Sequence, residues 1–92
     1  MEDRGIGARV TVRLRRERLD MVTRIAGGYF TAPPVPEAHS DEWLRVDVVY
    51  RVVEAVRHLM PFGTDVHIVS PPEARIEMAR AIAELAGLYD AA

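Results

Sequence analysis

Four arginines and one tryptophan carry the most promising chemistry in this 92-residue chain. Arg9, Arg13 and Arg15 alternate with Val10, Val12 and Leu14, and Arg45 follows Trp43 by two residues in a second alternating run. A period of two sends one set of side chains to one face of a strand and the other set to the opposite face. Guanidinium groups can track phosphates and an indole plane can stack a base, which is what a reader of single-stranded nucleic acid needs. If the strands are neighbours, Thr11, Asp47, His67 and Val69 share that face. The same residues have a plainer reading. Arginine on a strand is often a solvated long side chain or a charge that discourages edge pairing, and Trp43, Val49 and Val69 would suit a face covered by a partner. Both readings stay open at this level.

Other chemistries find less support. His39, His58 and His67 fall on a loop, a helix and a strand. The pair Glu54 and His58 has the i,i+4 spacing that usually reflects helix stabilisation. Asp41 and Glu42 are adjacent, so their side chains diverge, and the serines and threonines have no base at motif spacing. Gly5-Ile6-Gly7 and Gly27-Gly28 are too short for a phosphate loop. The expectation is therefore a protein that is not an enzyme and has no metal or cofactor. Cysteine is absent, which excludes disulfides and thiolate chemistry and fits a cytoplasmic location.

Composition is that of an ordinary globular domain, 49% hydrophobic and 28% charged. The length suits one domain, expected over residues 8–92, with residues 1–7 a linker or a remnant of cloning. No apolar run is long enough for a membrane span, and Met1-Glu2-Asp3-Arg4 leads into no leader-like apolar stretch. All 12 basic residues are arginine. Seven of them lie in residues 1–24 against four acids, whereas residues 25–92 hold five against ten, so any basic footprint is local.

The elements that would position these residues follow from periodicity. A strand is expected over Ala8–Arg15, and a helix over Arg16–Ala26 with Leu19, Val22, Ile25 and Ala26 inward and Gly27-Gly28 as its stop. Tyr29–Ala32 reads as a short strand that Pro33, Pro34 and Pro36 force to an edge or into an extended loop. Trp43–Val49 is a strand with Leu44, Val46 and Val48 on one face. Arg51–Met60 reads as a helix burying Val52, Val56 and Leu59, with Val53 and Met60 beside them, and Val66–Val69 as a strand. Ser70-Pro71-Pro72-Glu73 has the pattern of a capping box, with Pro71 at the first helical position. The helix after it should run to about Tyr89 with Ile76, Ala79, Ile82, Ala83, Leu85 and Ala86 inward. This order predicts an α+β fold: a ferredoxin-like βαββαβ antiparallel sheet with its helices on one face, plus a C-terminal helix.

The second half also resembles a known family. Ala55-Val56-Arg57-His58-Leu59-Met60-Pro61-Phe62-Gly63, then Asp65-Val66-His67-Ile68-Val69-Ser70-Pro71-Pro72-Glu73 with Arg75, and a terminal Leu88-Tyr89, are similar to the C-terminal extension (WCX) of bacterial WYL-domain transcription regulators. The resemblance implies a regulatory, effector-sensing and dimerisation module whose partners are a WYL domain and a helix-turn-helix domain of the same regulator. No Trp-Tyr-Leu tripeptide and no helix-turn-helix pattern occur in this chain. For the effector the resemblance suggests single-stranded nucleic acid. Arg9, Arg13, Arg15 and Arg45 are then the expected phosphate contacts and Trp43 the stacking platform. The alternatives are a homodimerisation domain with no nucleic-acid contact and a small-molecule sensor.

Overall fold

The computed structural model describes residues 7–90. The expected linker over residues 1–7 lies, apart from Gly7, outside them. Gly7 has φ +97°, and a Cβ there would run into the carbonyl oxygen of Tyr50. The chain therefore enters its first strand pressed against Tyr50–Arg51, in a conformation that suits glycine.

Four strands form one antiparallel sheet: β1 (Ala8–Arg15), β2 (Val35–Pro36), β3 (Trp43–Tyr50) and β4 (Val66–Ser70), in the spatial order β2-β3-β1-β4. β1 and β3 pair along their full length, from Ala8 opposite Tyr50 to Arg15 opposite Trp43. The alternation in sequence becomes alternation in burial. Val10, Val12 and Leu14 on β1, with Leu44, Val46, Val48 and Tyr50 on β3, are all at most 4% exposed. Helix α1 (Leu19–Ala26) covers them with Val22 and Ala26, and helix α2 (Pro72–Asp90) with Ala74. The result is an α+β domain whose helical elements close one core against one face of the sheet.

Several sequence expectations need correction. The second strand is Val35–Pro36 rather than Tyr29–Ala32. Gly27–Tyr29 forms a 3₁₀ turn, and of the expected stretch only Phe30 bridges to Val48. Three prolines leave the segment few amide donors, so pairing is confined to two residues at the sheet edge. The segment expected as an α-helix over Arg51–Met60 is a 3₁₀ run, Val53–Asp65, interrupted at Gly63 with φ +59°. Residues three apart eclipse in a 3₁₀ helix. Val53, Val56, Leu59 and Phe62 therefore form one inward stripe, which an α-helical period would scatter. Val52 is correspondingly 55% exposed.

Ser70 does not cap α2. It is the last residue of β4, opposite Thr11, and the helix begins at Pro72 with the Pro71 carbonyl accepting from the amides of Ala74 and Arg75. On α2 the inward face consists of Ala74, Glu77 and Ala81. Ile76, Ala79, Ile82, Ala83, Leu85 and Ala86 are all exposed, as is Ile25 on α1. Small side chains bring α2 close to the 3₁₀ run. There the buried Glu77 carboxylate accepts from Arg57 at 2.8 Å and lies 3.4 Å from Arg80, while Arg57 also reaches Glu84 at 3.1 Å. An ion pair and two alanine contacts, rather than the aliphatic stripe, decide which side of α2 turns in.

At the far end of the core the Tyr50 ring is 2% exposed and packs 4.8 Å from Tyr29. Its hydroxyl has no protein hydrogen-bond partner. Burial, reinforced by Tyr29, pushes the phenol up to about 12. The folded state thus favours the neutral phenol. Its contribution to stability is intact below pH 10 and is lost as pH rises from 10 towards 12. A tyrosinate absorbance titration should show one late-ionising tyrosine that disappears in Tyr50→Phe, and an unchanged titration in that variant would refute the assignment.

Candidate nucleic-acid interface

The β1–β3 register brings Arg9, Arg13, Arg15, Trp43 and Arg45 onto the solvent side of the sheet, with His67 of β4 opposite Arg13. The indole of Trp43 is the centre of this face. The Arg13 guanidinium carbon lies 4.1 Å from its ring centroid, that of Arg15 lies 4.5 Å away, and the His67 ring is at 4.8 Å, tilted by 38°. Guanidinium over indole is an attractive cation–π geometry. All five residues singled out in sequence therefore share one surface, and four of the side chains, counting His67, form a single cluster.

Arg13 and Arg45 stand directly opposite each other across the ladder. Like charges at that spacing repel. Glu37 resolves the conflict. Its carboxylate accepts from Arg13 Nε at 2.9 Å and Nη2 at 2.8 Å, and from Arg45 Nε at 3.0 Å. β2 delivers it there. Val35 pairs with Arg45 and Pro36 with Leu44, so the next residue returns to the solvent face, where the Glu37 amide donates to the Trp43 carbonyl at 3.0 Å. Fork-to-carboxylate pairing of this kind is geometrically specific. The hydrogen bond from Arg13, and then the one from Arg45, hold the Glu37 carboxyl below its ordinary value against the opposing effect of burial.

The remaining arginines are paired as well. Arg9 lies 3.6 Å from Asp47, whose other carboxylate oxygen accepts from the Thr11 hydroxyl at 2.7 Å. Arg15 reaches Glu42 at 3.2 Å and Asp65 at 3.3 Å, and Arg18 shares Asp65 at 2.9 Å. The face is thus a lattice of alternating charge rather than a bare basic patch. Arg9 and Arg45 remain the accessible cations, their side chains 67% and 50% exposed, whereas Arg13 is 29% exposed. Neither Glu37 nor Asp65 stands out in the sequence, and Glu42 does so only as one of a diverging carboxylate pair with Asp41. A signal for Glu37 existed, since it is two residues beyond Val35, but the proline-rich segment hid the strand that sets its side.

Because Glu37 titrates below its ordinary 4.5 in the folded protein, the stability it contributes is present above that pH and is lost as pH falls through the lower folded value. Circular dichroism through acid titration should show Glu37→Gln with a flatter decline in this window than the parent. Identical profiles would show that the carboxylate contributes nothing.

The family model described as WCX domain matches residues 7–86. No curated protein and no solved structure matches the chain.

Proposed function

The chain belongs to the WCX domain family, and on that premise we propose that it serves as a regulatory, effector-sensing and dimerisation module of a WYL-type transcription regulator, with the open sheet face as its contact for single-stranded nucleic acid. The β2-β3-β1-β4 order with antiparallel neighbours supports a ferredoxin-like arrangement, a scaffold that leaves one sheet face free to carry function. The observation that carries the reading is the single tryptophan on the solvent side, with two guanidinium groups within 4.5 Å of its ring. Cations and an aromatic plane on one exposed sheet are the elements of a stacking platform beside a phosphate track. Among the described residues no helix is long and apolar enough to cross a membrane, and a cytoplasmic regulator is the setting this reading implies.

The acid partners shape what such binding would look like. A phosphate approaching Arg13 and Arg45 competes with Glu37 for the same donors, so binding should be modest at neutral pH and sensitive to salt. Four phosphate contacts on a single strand imply a log–log salt slope of about -3. Titration with short single-stranded DNA, followed by Trp43 fluorescence, should give saturable quenching that weakens with salt. Trp43→Ala is expected to cost about 1–3 kcal/mol for each stacked base, measured by anisotropy with labelled DNA. Glu37→Gln should tighten binding by releasing Arg13 and Arg45. An absence of quenching in both the parent and Glu37→Gln would sink the nucleic-acid reading. A homodimer that forms without nucleic acid is the second reading, and the apolar surface of α2 favours it.

A further inference from the structure

Helix α2 leaves its C-terminal half exposed. Ala81 is its last buried residue, and residues 82–90 are all exposed, with Glu84 reaching Arg57 of the 3₁₀ run. A solvated helix end is normally polar, yet here Ile82, Leu85, Leu88 and Tyr89 are 51%, 44%, 75% and 76% exposed. Three of these four share one stripe with Met78, and Leu88 lies off it. Met78, Ile82, Leu85 and Tyr89 follow one another at intervals of four, three and four, the a/d spacing of a helix that pairs with another helix. Ala79 and Ala86 flank this seam on its outer side, so nothing larger than a methyl group there would hold a second helix away. Met78 and Ile82 also line an open groove of about 500 Å³, together with Leu59, Met60, Val66 and His67.

We propose that the occupant of this seam and groove is α2 of a second copy, lying antiparallel about a two-fold axis. Met78 of one copy then meets Tyr89 of the other, and Ile82 meets Leu85, so each seam residue gains an apolar counterpart. The charges choose the direction. Among the described residues neither Arg75 nor Asp90 has an ion-pair partner. The antiparallel register brings Arg75 of each copy within a turn of Asp90 of the other, whereas a parallel pair would set Arg75 beside Arg75. This interface deepens the reading of the chain as a dimerisation module.

Sedimentation equilibrium of the full 92-residue chain over a concentration series tests it. The expected result is a monomer–dimer equilibrium that Leu85→Glu weakens by at least about tenfold, as loss of a central anchor does. Leu85 is already 44% exposed, so a far-ultraviolet spectrum like the parent's is expected for that variant. Arg75→Glu should weaken association independently, and adding Asp90→Arg to it should restore association. A chain that is monomeric at every concentration overturns both this interface and the dimerisation reading. A dimer indifferent to Leu85→Glu and to the charge exchange overturns the α2 interface alone, and points to the sheet face instead if Trp43→Ala dissociates it.

Discussion

The full-length antiparallel pairing of β1 with β3 is the constraint on which the rest of the structure depends. With a period of two and no slip from Ala8–Tyr50 to Arg15–Trp43, it sends Val10, Val12, Leu14, Leu44, Val46 and Val48 to one side and every arginine, together with Trp43 and Val49, to the other. A register shift of one residue would exchange the faces and put guanidinium groups in the core. The buried side is stabilised by branched aliphatics packed under α1 and the 3₁₀ run. The other side is left with a concentration of positive charge that must be answered locally.

The answer comes from the sheet edge and from loops. β2 has only two residues, but its position fixes Glu37 over the point where Arg13 and Arg45 oppose each other. Asp47, Glu42 and Asp65 neutralise the remaining arginines of the face in the same manner. Exposed ion pairs of this kind contribute little individually. Their effect is to orient the guanidinium groups around Trp43 and to balance the charge of the face. The charge balance that keeps the sheet face solvated also governs what could bind there.

The other end of the molecule follows a different logic. The 3₁₀ stripe of Val53, Val56, Leu59 and Phe62, with Arg57 on its flank, captures Ala74, Glu77 and Ala81 of α2. This docks the helix by its small residues and leaves its larger aliphatics outward. The domain thus has two distinct external surfaces: an ionic and aromatic sheet face, and the exposed apolar residues of the C-terminal half of α2.

How much of this was legible in the sequence depended on whether a pattern was local. Strict alternation in β1 and β3 identified both strands, their buried faces and the five side chains that gather on the open sheet, because side-chain direction in a strand follows from position alone. The lack of cysteine and the extended Pro33–Pro36 segment were equally plain. Tertiary structure decided what depends on a neighbour. An ion pair between Arg57 and Glu77 overrode the aliphatic periodicity of α2, and a period of three replaced the α-helical period over Val53–Asp65. The pairing of Val35 with Arg45 carried Glu37 to the arginines, which no spacing along the chain announces. Alternation is a property of the backbone and can be read from one strand, whereas the side a helix buries, and the acid that meets a given arginine, are set by the surface that packs against them.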